Sequence, residues 1–191
     1  MTYTEQYKQD LIKTMDLVDL AKVDQAIQMF AEARDAGRMI YVCGNGGSAA
    51  SVSHFTRDMV KGGSFQLPPE KRFKILALTD MMPTMTAYGN DVGYEAVFVE
   101  PLKNFARAGD LFMTVSCSGN SPNVVAALEY ARSIGCKTIA LSGKDGGKIG
   151  PMADLNIQVS AAHYGRIEDA HMIVCHMICY YFMDVDMKKP A

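Results

Sequence analysis

No run of basic residues occurs anywhere in this chain: 19 lysines and arginines are scattered among 21 acids, for a formal charge of −2. That scatter offers neither an electrostatic footprint for nucleic acid nor a polybasic patch for a membrane surface, so neither is expected as a partner. Long apolar runs are missing too, which excludes a membrane-spanning segment. The stretch from Thr2 to Asp10 is polar and lacks the apolar centre of a secretion signal, so a cytoplasmic protein is expected. Cysteine is sparse. Cys43, Cys117, Cys136, Cys175 and Cys179 form no CxxC pair for structural zinc and no secreted-type disulfide framework, which fits reduced thiols. Repeats, low-complexity tracts and long linkers are lacking, so a chain of 191 residues with 49% hydrophobic content is expected to fold as one domain, 1–191.

Two short stretches stand out against this background. Cys43-Gly44-Asn45-Gly46-Gly47-Ser48 and Ser116-Cys117-Ser118-Gly119-Asn120-Ser121 each follow a strand-like apolar run and precede a helix-like one. Glycines let the backbone approach an anion, serine hydroxyls donate hydrogen bonds, and the next helix offers unpaired amides at the positive end of its dipole. One such loop reads as an ordinary strand-to-helix turn. Two of them, at the strand ends where open parallel sheets bind ligands, read as a phosphate cradle. A dinucleotide site is excluded, because GxGxxG is absent and no acid follows about twenty residues later on a strand end. A nucleotide P-loop is excluded because no Gly-Lys-Ser/Thr closes either stretch.

The remaining pattern is that of alternating strands and helices. Residues 7–36 carry an amphipathic period (Leu11, Met15, Val18, Val23, Ile27, Phe30) that predicts a leading helix or a helical pair. Strands are predicted at 39–42, 74–78, 111–115, 138–141 and 155–159. Helices are predicted at 48–60, 92–106, 122–134 and 168–184, with a short helical turn over 81–88. Glycine and proline make 62–71 and 142–152 irregular loops. Strands apolar on both faces, alternating with helices, predict an α/β fold: a three-layer αβα sandwich around a five-stranded parallel sheet.

The series Gly44-Asn45-Gly46-Gly47-Ser48, His54-Phe55, Gly89-Asn90-Asp91, Ser116 to Ser121 and Gly143-Lys144-Asp145-Gly146-Gly147 resembles the sugar isomerase domain family over residues 5–185, most of all its phosphoheptose isomerase branch. The resemblance implies a flavodoxin-like sheet and a homotetramer with sites between subunits. It also implies conversion of sedoheptulose 7-phosphate to D-glycero-D-manno-heptose 7-phosphate through an enediol, for surface heptose synthesis. It puts the phosphate on Ser48, Ser116, Ser118 and Ser121, the serines that the loop argument reaches independently. Gly46, Gly47 and Cys117 complete the binding loops, and Asn45 and Asp91 face the sugar hydroxyls. The acid/base candidates it implies are Asp58 and His176. The chain departs from the branch at four places. Asp58 stands where glutamate is usual, and Glu168 stands where glutamine is common and brings a negative charge into the substrate site. Gly62 and Gly165 replace a frequent arginine and a frequent aspartate.

Spacing adds a metal reading. His54 and Asp58 are four apart and share a helix face, as do Glu168 and His176, eight apart. Two histidines and two carboxylates suit zinc or a similar divalent ion, and the same four residues also suit a metal-free acid/base set. His163 and His171 read as ordinary surface or core histidines. Cys43 and Cys117 have no base nearby in sequence and read as small fillers rather than nucleophiles. Three functions stay open: this isomerase, a non-catalytic sugar-phosphate sensor or partner-binding module, and an isomerase of another ketose phosphate. Four titratable groups directed at one cavity favour an enzyme.

Overall fold

Polar residues divide the leading amphipathic stretch into two helices. Thr2 and Glu5 form a reciprocal capping box that starts α1 (Tyr3–Met15). Asp19 accepts from the backbone N–H groups of Ala21 and Lys22 and starts α2 (Leu20–Asp35), so the chain breaks between the two. The computed structural model describes residues 1–188, and the last three positions of the expected 1–191 domain lie outside the described residues. The other helices are α3 (Gly46–Arg57), α4 (Met82–Asp91), α5 (Ala96–Phe105), α6 (Pro122–Ser133), α7 (Ile149–Met152) and α8 (Tyr164–Asp184). None is long and apolar enough to cross a membrane.

Five strands, β1 (Met39–Gly44), β2 (Lys74–Ala77), β3 (Leu111–Ser116), β4 (Lys137–Gly143) and β5 (Leu155–Val159), form an all-parallel sheet in the order β2-β1-β3-β4-β5. β3 is buried along its whole length, and β1 and β4 are buried except at their first residues. The edge strands β2 and β5 alternate instead, as strands covered on one side only must. Successive side chains feed opposite cores. Ile40, Val42, Met113 and Leu141 pack with Phe30 of α2, Phe55 of α3 and Val174 of α8. Tyr41, Cys43, Phe112 and Ala140 pack with Phe98 of α5 and Leu128 of α6. The result is the expected three-layer sandwich. Because β1 has β2 on one side and β3 on the other, the winding direction reverses between β1 and β3. Gly44 therefore pairs with Val115, and the two small-residue loops leave the sheet side by side.

Three local expectations are corrected. The last helix begins at Tyr164 rather than at 168, because His163 Nδ1 accepts from the Arg166 N–H at 3.4 Å. The 142–152 loop is shorter than expected, since β4 runs through Gly143 and α7 occupies its far end. The 62–71 loop is entered through a π-helical turn at Asp58–Gly62 and ends in a 3-10 turn at Pro69–Lys71. A Cβ on Gly62 would stand 2.6 Å from the Met183 sulfur, so a side chain there would have to displace the end of the Met183 side chain on α8.

His171 lies in the core of α8 with Nε2 3.1 Å from the Ser142 carbonyl, while Nδ1 has no partner among the described residues. Burial pushes its pKa down to about 4, only partly offset by that carbonyl. The unfolded chain titrates near 6.5, so it binds more protons than the native state between those values, and stability falls as pH drops through that window. The loss should be on the order of 3 kcal/mol, from about 1.4 kcal/mol per unit. Urea unfolding at pH 7 and pH 4.5 checks this. His171→Gln keeps a donor for Ser142 and should flatten the pH dependence. An equal slope in that variant would remove His171 as the cause.

Candidate active site

The two loops enclose a cavity of about 190 Å³ lined by Asn45, Ser48, Val115, Ser116, Cys117, Ser118, Ser121, Tyr164 and Glu168. On one side stands the first turn of α3, where the amides of Gly46, Gly47 and Ser48 are free of helical partners. On the other, the Gly119 N–H donates to Ser116 Oγ at 3.1 Å and the Asn120 N–H donates to Ser118 Oγ at 3.2 Å, which fixes both hydroxyls. Gly119 is required there. Its φ of 63° and the backbone of Gly146 pressed against it leave no space for a side chain. Asn120 Oδ1 accepts from the Lys148 N–H, tying this loop to the next. Ser121 precedes α6 without capping it, and Pro122 fills the first helical turn. Asn45 exchanges amide hydrogen bonds with Asn123 at 2.8 and 2.9 Å and accepts one from the Tyr94 hydroxyl at 3.1 Å. Among the described residues no cation lines the cavity, although Lys144 stacks its ammonium 4.3 Å from the centre of the Tyr164 ring at the rim. A larger cavity of about 400 Å³ lies at the opposite end of the strands, around Arg38 and Lys137, and contains none of the expected site residues.

Further along the contact between α3 and α8 is a cluster of ionisable side chains. The Asp58 carboxylate, 7% exposed, has His54 Nε2 at 3.2 Å and His176 Nε2 at 3.7 Å from one oxygen and Arg57 Nη1 at 2.5 Å from the other. The His54 and His176 rings meet edge-on at 5.2 Å and are 44% and 40% exposed, so the cluster opens to solvent on one side. Asp58 is also the first residue of the π turn, a widening often found at functional sites.

The structure thus divides the expected residues into groups. Asn45, Ser48, Ser116, Cys117, Ser118, Ser121 and Glu168 line the cradle, with Gly46 and Gly47 in its first helical turn. His54, Asp58 and His176 form the cluster. Glu168 does not join that cluster: it shares the α8 face with His176, yet eight residues of helix separate the two by about 12 Å. Asp91, at the end of α4, lines a different cavity beside Tyr88 and Val92. Arg57, Tyr94 and Tyr164 were not anticipated as site residues. The thiols of Cys43, Cys175 and Cys179 are pushed up to about 12 and those of Cys117 and Cys136 to about 11, first of all by burial. They stay protonated and are unsuited to nucleophilic attack or metal ligation.

The family model described as "SIS domain" matches residues 2–143. The chain belongs to the SIS domain family. A phosphoheptose isomerase from Citrifermentans bemidjiense is 42% identical over 157 residues, covering 82% of this chain and 80% of that protein. Among solved structures, a phosphoheptose isomerase from Neisseria gonorrhoeae is 30% identical with a TM-score of 0.86, over 95% of this chain and 97% of that one. Another, from Francisella tularensis, is 28% identical with a TM-score of 0.85, over 94% of each.

The donor set of this SIS domain fits a zinc ion. His54, Asp58 and His176 offer two imidazole nitrogens and a carboxylate oxygen within 4.8 Å of one another, three ligands with a fourth position open. The Arg57 guanidinium, 3.1 Å from His54 Nε2, can only donate, so that nitrogen is an acceptor, as ligation requires. The same nitrogen lies 3.2 Å from Asp58 Oδ2, where two lone pairs oppose each other and a cation between them would bind both. His54→Gln and His176→Gln should each weaken zinc binding by more than the roughly 10–100-fold that an outer-shell partner costs. Competition with a chelating dye measures this, and unchanged affinity in both variants would place zinc elsewhere.

Proposed function

We propose that the chain is an aldose-ketose isomerase that converts sedoheptulose 7-phosphate to D-glycero-D-manno-heptose 7-phosphate through an enediol, for surface heptose synthesis in the cytoplasm. The observation that carries this reading is the alignment of two chemistries along α3 and α8: an anion cradle at their N-terminal ends and an acid/base cluster further on. The whole chain, 1–191, acts as one SIS domain.

The serines do the holding. Ser48, Ser116, Ser118 and Ser121 and the first amides of α3 grip the phosphate through hydrogen bonds to charged oxygens, while Asn45 and Asp91 meet the hydroxyls. Asp58 then takes a proton from C1 of the ketose and returns it to C2, and His176 moves the proton between the neighbouring oxygens. Arg57 on one oxygen and His176 beside the other hold the buried Asp58 carboxylate in one orientation. Zinc or a similar divalent ion on His54, Asp58 and His176 supplies, when bound, polarisation of the carbonyl oxygen. About 12 Å of helix separates the cradle from His176, and Asp91 faces a different surface. Both facts favour a homotetramer whose sites combine the cradle of one copy with groups from another.

NMR observation of sedoheptulose 7-phosphate with the purified protein tests the reading. Asp58→Asn and His176→Gln should lower kcat far more than they raise KM. Ser118→Ala should cost about 1–3 kcal/mol of substrate binding. A wild-type protein that binds the ester without turning it over would point to a sensor or to a different sugar.

A further inference from the structure

Among the described residues, Glu168 is the one charged side chain that lines the serine cavity. Its carboxylate lies directly on the α-carbon of Gly47, so close that a Cβ at position 47 would overlap it. Gly47 belongs to the first turn of α3, where free amides and the helix dipole attract negative charge. The side chain is half-buried, and its charge acts on the Cys117 thiol at the cavity wall, where Lys144 acts in the opposite sense. Lys144 is held at the rim, its ammonium against the Tyr164 ring. The cavity thus sets one carboxylate among neutral hydroxyl and amide groups.

We propose that Glu168 is an internal competitor for the anion seat at the start of α3, making it a specificity-determining residue that weakens the hold on inorganic phosphate and short phosphate esters. This rests on the cradle reading given above. A dianion entering the serines must either displace the carboxylate from Gly47 or bind beside it, and either costs affinity. A ligand with a full sugar chain recovers that cost through contacts beyond the cradle, whereas phosphate alone cannot. The site therefore selects for the sugar part of its ligand rather than for the charged end. The charge-neutral counterpart of the same shape is glutamine, so Glu168→Gln isolates the effect of charge.

Calorimetric titration of the full chain with inorganic phosphate at pH 8, on wild type, Glu168→Gln and Ser118→Ala, tests the proposal. Two like charges on the order of 5 Å apart in a partly solvated site repel enough to change affinity about tenfold. Glu168→Gln should therefore bind phosphate about tenfold more tightly, while Ser118→Ala binds it more weakly. Equal or weaker binding in Glu168→Gln, with weaker binding in Ser118→Ala, overturns the competitor and leaves the cradle intact. Phosphate binding that neither substitution changes overturns both, since the anion is then held elsewhere. Matching thermal melts for the variants exclude a loss of fold as the source of any change.

Discussion

Strand β1 sits between β2 and β3, and most of the site follows from that placement. With the winding direction reversing there, the chain ends of β1 and β3 diverge into helices on opposite faces and leave a crevice between their loops. Neither loop alone closes around an anion. Side by side, they supply hydroxyls from one and helix amides from the other. The same placement directs α3 away from the crevice along α8, so that whatever α3 carries further on lies in line with the cradle. His54 and Asp58 are what it carries.

A buried carboxylate is costly unless charged or polar neighbours surround it. Asp58 meets this condition with neighbours drawn from two elements: Arg57 from α3 on one oxygen and His176 from α8 beside the other. Its burial depends on the close packing of those two helices, and its partners help to hold them in register. Stability and chemistry thus share the same contacts. The cradle is different, being built from backbone turns and short hydroxyls that the sheet positions, with little of its geometry dependent on α8 except through Tyr164 and Glu168.

The fold was legible because the strands are apolar on both faces and are spaced by helix-length segments, and because Gly and Ser at positions 44–48 and 116–121 have few other uses at strand ends. The four serines were legible for the same reason. What escaped was set by geometry that one-dimensional spacing does not encode. Glu168 and His176 share a face, yet a shared face two turns long does not bring two side chains to one ion. Arg57 is adjacent to Asp58 in sequence, and a regular helix would point neighbours in different directions. Here the two side chains meet at 2.5 Å. Tyr164 was hidden because the cap of α8 is a histidine, His163, rather than one of the usual Ser, Thr, Asp or Asn signals.

The π turn at Asp58–Gly62 alters how positions before and after it correspond. A π turn holds about one residue more than an α turn, and here it closes the coil that α3 begins. A helical wheel of α3 therefore holds only as far as Asp58, since the chain leaves the helix for a loop after Gly62. Two sequences of this kind that differ by one residue between 58 and 64 can therefore be superimposable up to the carboxylate and differ only in how they enter the loop. In such a pair, a gap belongs at the wide turn and not in the exposed loop that follows, where length alone would suggest placing it.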